Sequence, residues 1–245
     1  MTTPPMTVVL VHGAGSGAWI WEAVCDELEG RAVAHRAVDL PTVGEDVDPG
    51  LDVHADAAFV RSVVDDVEGP VLLCGNSYGG VAITEAAAGH AGVARLVYVA
   101  AFMPDHDDDL LSFMVDNSAP GFEEAVILRD DGLVAFDPAR LRTLAFNQAP
   151  ADVADRASAH VRPLAMAPPS PPTVTGVGWR TIPSTYVVCS DDRSLLPGSQ
   201  RRWARERASD SVELPFDHCP EVSHPAEVAA LLASLALPSH ADVKT

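Results

Sequence analysis

The chain has 245 residues, 47% of them apolar, which is enough for one sizeable core and excludes a disordered or fibrous chain. Its 35 Asp and Glu outnumber 16 Lys and Arg, for a net charge of −19. A surface so acidic repels phosphate backbones and anionic lipid, so neither nucleic acid nor membrane is an expected partner. The four cysteines form no CxxC pair, and Cys74 and Cys189 fall in apolar runs, as free thiols of a reducing compartment do. Residues 1–6 lack the basic and apolar regions of a signal peptide, and no apolar run reaches membrane-span length. The expected location is the cytoplasm.

In chain order, residues 7–11 are a continuous apolar run ending at His12-Gly13-Ala14-Gly15, the pattern of a buried strand followed by a tight turn. Apolar positions at Trp21, Val24, Cys25 and Leu28 predict a helix ending near Gly30. A second strand is expected over 32–40, stopped by Pro41, and a helix over 52–67. A strand over 70–74, an Ala-rich helix over 77–89 and a strand over 96–101 follow. From 102 to 181 the periodicity breaks. That stretch carries an acidic run (Asp105, Asp107, Asp108, Asp109) that reads as a solvated edge, helical patterns over 138–147 and 151–160, and prolines from 168 to 172. Alternation resumes with a strand over 184–190, a helix over 198–208, a strand over 211–215 and a final helix over 225–235. The expected fold is α/β: a six-stranded, mostly parallel, doubly wound sheet built from 1–101 and 182–245, with 102–181 inserted as a helical cap. Together these make one structural domain, with a ligand site expected at the C-terminal ends of the strands.

Gly75-Asn76-Ser77-Tyr78-Gly79 is a G-x-S-x-G sequence in the strand-turn-helix setting where that motif presents a nucleophilic serine. The turn is so sharp that side chains two positions from the serine would collide with neighbouring elements, and Gly75 and Gly79 have none. A helix after Ser77 directs its positive end at the site. The N–H groups of Ala14 and Tyr78 form the expected oxyanion hole, while His12 reads as an anchor of its loop. Two histidines follow the last strand, His218 and His224, and placement immediately after that strand favours His218 as the base. For the acid, Asp192 after the preceding strand is favoured and Asp191 reads as a loop cap, with Asp105 after the fourth strand as the alternative. Asp217 adjoins His218 in sequence and is badly placed to reach its ring. No His or Cys cluster has metal-ligand spacing, so neither a metal nor another cofactor is expected.

Val9-Leu10-Val11-His12-Gly13-Ala14, Gly17-Ala18-Trp19, Asp39-Leu40-Pro41 and Gly75-Asn76-Ser77-Tyr78-Gly79-Gly80 together resemble the esterase and hydroxynitrile lyase branch of the α/β-hydrolase superfamily. That branch includes the plant methyl esterases and many bacterial serine hydrolases, and the resemblance covers most of the chain outside 102–181. It implies the α/β-hydrolase fold. It also aligns the branch's acid segment on 186–193, with Asp192 as the acid, and its histidine segment on His218-Cys219-Pro220, with His218 as the base. The lyases of the branch carry a threonine after the loop histidine and a lysine after the catalytic one. Here those positions are Gly13 and Cys219, so the resemblance points to hydrolysis. The implied reaction is cleavage of a small, largely apolar carboxylic ester through an acyl-enzyme on Ser77. Trp19, Phe102, Met103, Phe113, Phe146 and Trp179 are the residues expected to line an apolar pocket for it. Amide, carbamate or lactone hydrolysis by the same residues, a lyase reaction, and a non-catalytic receptor role are the alternatives. The expected partner is a small ester or amide, and assembly as a homodimer is left open.

Overall fold

The computed structural model describes residues 4–166 and 173–237. The chain opens with β1 (Thr7–Val11), a 3-10 turn (Ala18–Trp21), α1 (Glu22–Gly30), β2 (His35–Val38), α2 (Val53–Asp65), β3 (Val71–Asn76), α3 (Gly79–Ala86) and β4 (Val93–Val99). It continues through α4 (Leu110–Asn117), β5 (Val126–Leu128), β6 (Leu133–Phe136), α5 (Pro138–Leu144), α6 (Ala151–Ala159) and β7 (Leu164–Ala165). It closes with β8 (Ser184–Cys189), α7 (Pro197–Glu206), β9 (Asp210–Leu214), α8 (Pro220–Ser223) and α9 (Pro225–Ala236).

Among the described residues the main sheet has six strands in the order β2-β1-β3-β4-β8-β9, and every neighbouring pair is parallel. The period-2 pleat divides each strand between two cores. Val9, Val11, Leu73, Tyr98 and Tyr186 face α2, α3 and α7. Val8, Leu10, Leu72, Val97 and Val187 face α1 and α9. Because β3 and β8 are buried on both faces, their sequences are continuous rather than alternating apolar runs. Two expected boundaries move for reasons of backbone geometry. Ala32 has φ 56°, which turns the chain out of α1 and delays β2. Ser77 has φ 51°, outside the right-handed helical region, so α3 begins at Gly79.

The segment between β4 and β8 carries the expected helices and adds to them an unexpected small antiparallel sheet, with β5, β6 and β7 beside α4, α5 and α6. This sheet is stapled to the loop after β2. Val43 bridges Leu164, the Gly44 N–H donates to the Pro163 carbonyl at 2.9 Å, and the Ala165 N–H donates to the Thr42 carbonyl at 2.8 Å. Within the acidic run Asp107 and Asp109 are exposed, as expected of a solvated edge, while Asp105 and Asp108 are half-buried and paired. Arg180 donates to both oxygens of Asp105 at 3.0 and 2.6 Å, Arg207 donates to Asp108 at 2.7 Å, and Asp109 caps α4 through the Ser112 N–H at 2.9 Å. The prolines of 168–172 lie outside the described residues. Among the described residues, no helix is long and apolar enough to cross a membrane.

Candidate active site

The C-terminal ends of β1, β3, β8 and β9 converge on Ser77. Its left-handed φ of 51° costs strain for a side-chain-bearing residue, and three glycines let the neighbouring elements close around it. A Cβ on Gly75 would lie 2.6 Å from the Gly79 carbonyl, and one on Gly79 would lie 2.6 Å from the Val11 carbonyl oxygen. One on Gly80 would run into the Phe102 carbonyl oxygen and sit 2.8 Å from Ala101 Cβ. Gly13 meets the serine from the other side, since a Cβ there would be 2.9 Å from Ser77 Cβ.

Ser77 Oγ donates to His218 Nε2 at 2.9 Å, and His218 Nδ1 donates to Asp192 Oδ2 at 2.8 Å. The structure thus brings together three side chains 141 and 26 positions apart in the chain. Asp192 is buried, and every lone-pair direction it has is used. Its Oδ1 accepts from the N–H groups of Ser194 at 2.7 Å and Leu195 at 2.9 Å, and its Oδ2 also accepts from Gln200 Nε2 at 2.7 Å. Gln200, on α7, is in turn fixed by accepting the Cys189 N–H at 2.9 Å. Asn76 Nδ2 donates to the His218 carbonyl at 2.9 Å and to the Val99 carbonyl at 3.1 Å, tying the histidine loop to the serine turn. Sequence reasoning missed Gln200 and gave Asn76 no role. Their only local signal is an amide at a buried position.

The other candidates are placed elsewhere. His224 bonds Ser223 Oγ at 2.8 Å and stacks on Phe216. Asp217 accepts from the Gln148 N–H at 2.9 Å and from Ser223 Oγ at 2.6 Å, while Asp191 accepts from Gln148 Nε2 at 2.8 Å. Asp105 is taken up by Arg180. His12 is fully buried, and that burial pushes its ring down to about 4. Its neutral Nδ1–H donates to the Gly13 carbonyl and its Nε2 accepts the Leu40 N–H, so it anchors the loop that carries Ala14. Neither the Ala14 nor the Tyr78 N–H donates to an acceptor among the described residues. The Tyr78 phenol donates at 2.7 Å to buried Asp56, which also accepts from Thr42; burial pushes this carboxyl up to about 6 despite those bonds.

A cleft of about 410 Å³, counted up to the solvent at its mouth, opens above Ser77 and His218. Its apolar wall is Phe122, Phe136, Leu141, Ala145, Phe146 and Val161, all from the segment between β4 and β8. Of the six aromatic and methionine residues expected to line it, Phe146 does. Phe102, Met103 and Phe113 are instead core residues on the α7 side, where both phenylalanines pack on Trp203. Trp179 packs against the same core and donates to the Pro104 carbonyl, and Trp19 lies against His160. Among the described residues, no group of three or more His, Cys, Asp or Glu could hold a metal ion.

Comparison with known proteins agrees with this architecture. The chain is 29% identical to the carbendazim hydrolyzing esterase of Nocardioides sp. (strain SG-4G) over 93% of its own length and 98% of that protein's. It is 27% identical to methyl jasmonate esterase 1 of Vitis vinifera, covering 93% and 95% of the two chains. It superposes on a pyrethroid hydrolase from Sphingobium faniae JZ-2 with a TM-score of 0.80 at 25% identity, over 94% of this chain and 97% of that one. The family model described as the alpha/beta hydrolase family matches residues 8–231. With that match, the chain belongs to the alpha/beta hydrolase family, as a hydrolase.

Proposed function

We propose that the protein is a serine esterase that cleaves a small, largely apolar ester through an acyl-enzyme on Ser77. The observation that carries this reading is the unbroken hydrogen-bonded chain from Ser77 Oγ through His218 to buried Asp192, at 2.9 and 2.8 Å. His218 Nε2 takes the Ser77 proton as Oγ attacks the carbonyl, then returns it to the departing alcohol. Water repeats the sequence on the acyl-enzyme. Asp192 holds the ring with Nδ1 protonated and stabilises the imidazolium. The N–H groups of Ala14 and Tyr78, left without acceptors, receive the developing oxyanion. Residues 102–181 act as the cap whose apolar wall selects the substrate. The relatives' names fit ester cleavage, and that of the Nocardioides protein favours a carbamic ester as the second reading. Four cysteines, all free, suit a cytoplasmic setting.

The test is release of p-nitrophenol from short-chain p-nitrophenyl esters. Wild type should turn over, and Ser77→Ala and His218→Ala should each lose roughly 10³-fold or more in kcat. Full activity in Ser77→Ala overturns the mechanism.

A further inference from the structure

A buried carboxylate is bonded to the residue that follows the nucleophile. The Tyr78 phenol donates to Asp56 Oδ2 at 2.7 Å. Thr42 completes the set, its hydroxyl donating to Oδ2 at 2.8 Å and its N–H to Oδ1 at 3.1 Å. Asp56 lies on the buried face of α2 with Val53, Ala57, Val60 and Val64. An apolar side chain could fill that position without burying a charge, and the burial pushes the Asp56 carboxyl up to about 6. At neutral pH the ionised group therefore costs stability, and what it holds is Tyr78. That residue sits beside a strained one. Ser77 has a φ of 51°, and such a conformation persists only where its surroundings over-determine it. The Tyr78 N–H belongs to the peptide joining it to Ser77 and has no acceptor among the described residues. Its direction depends on how firmly both residues are held.

From this bonding we infer that Asp56 is a positioning residue for the oxyanion hole, holding Tyr78 by its phenol so that the Tyr78 N–H faces the developing oxyanion. The inference rests on the esterase reading above and deepens it. Asp56 is not among the cleft-lining residues, so it acts only through Tyr78 and Thr42. Through Thr42 it is also linked to the cap sheet, because the Thr42 carbonyl accepts the Ala165 N–H of β7 at 2.8 Å.

Tyr78→Phe removes only the phenol oxygen, and Asp56→Asn keeps the shape of the carboxyl without its charge. Kinetics on p-nitrophenyl acetate are compared in wild type, both single variants and the double variant, with Tm as a check on folding. Each single variant is expected to lose about tenfold in kcat with KM little changed. In the Asp56→Asn background Tyr78→Phe should cost much less than tenfold, because the bond it breaks is already altered. A second readout follows the oxyanion itself. Ser77 Oγ adds to the carbonyl carbon of benzyl trifluoromethyl ketone, its proton passes to His218, and the ketone oxygen becomes an oxyanion in the hole. Benzyl methyl ketone is the matched inhibitor that binds without this addition. Both single variants should weaken inhibition by the trifluoromethyl ketone about tenfold and leave that by the methyl ketone unchanged. Wild-type kcat in Tyr78→Phe, fully additive losses, or equal weakening of both ketones overturns the Asp56 assignment and leaves the esterase reading standing. If Asp56→Asn does not fold, Tyr78→Phe decides alone through its kcat and the ketone pair. Absence of wild-type turnover together with absence of inhibition by the trifluoromethyl ketone overturns both.

Discussion

Gln200 is not among the residues that line the cleft, yet it is bonded to the carboxylate that holds His218. It donates to the same Asp192 oxygen that receives the His218 ring, and its own carbonyl is held by the Cys189 N–H. Replacing it with alanine removes a donor from a buried carboxylate and frees that carboxylate to rotate. The expected loss is about 1–3 kcal/mol of transition-state stabilisation, or roughly 5- to 150-fold in kcat, with KM little changed. Steady-state kinetics on a p-nitrophenyl ester checks this, and a variant whose defect is confined to KM would argue against the positioning role. Ser77, Asp192 and His218 were legible because each follows a recognisable strand and the serine sits in a glycine-bounded turn. Gln200 was not legible, because a glutamine in a polar helix looks the same whether it faces water or a buried carboxylate. The pocket aromatics failed for the same reason. Phe102, Met103 and Phe113 are as apolar as Phe122, Phe136 and Phe146, and only packing decides which set meets the core and which meets the cleft.

Among the elements, the turn from β3 into α3 is the most constrained. Gly80 lies where α3 passes the Ala101–Phe102 backbone with no room for a methyl group. Gly80→Ala should therefore cost about 1–3 kcal/mol by overpacking, which lowers Tm by at least ~2 °C in a chain of this size, and should shift Ser77 enough to impair turnover. An unchanged Tm by thermal melting would mean that the two elements can separate freely. The segment between β4 and β8 was read less well. Its β5–β6 hairpin has a local signal in Asp131-Gly132, where Gly132 takes φ +87° and the Arg129 N–H donates to the Leu133 carbonyl. The flanking strands have only three and four residues, too few for alternation to stand out. β7, two residues long, is a strand solely because β6 and the loop after β2 pair with it.

Across the whole molecule, buried carboxylates set the response to pH. Burial raises the Asp56 carboxyl from 3.8 to about 6, so the folded state binds its proton more tightly than the unfolded chain does. Its contribution to stability is therefore fully present below about pH 4 and is lost as pH rises towards about 6, a change of roughly 3 kcal/mol. Asp217 and fully buried Glu221 are raised by burial in the same direction. Asp109, held low by the Ser112 N–H, and Glu213, held low by Arg201, oppose them only in stronger acid. Asp56→Asn keeps the shape and cannot ionise, so its Tm should fall less steeply than wild type between pH 4 and 6. A variant with the full wild-type slope would remove Asp56 as the source. The sequence alone determined the strand order of events along the chain, the doubly wound α/β class, the serine turn and the candidate acid and base, because these follow from local periodicity and from turns that only certain residues can make. The tertiary structure alone decided which buried carboxylates receive donors and which aromatics face the cleft. Those properties depend on contacts between residues far apart in the chain, and a residue's identity does not record what comes to lie beside it.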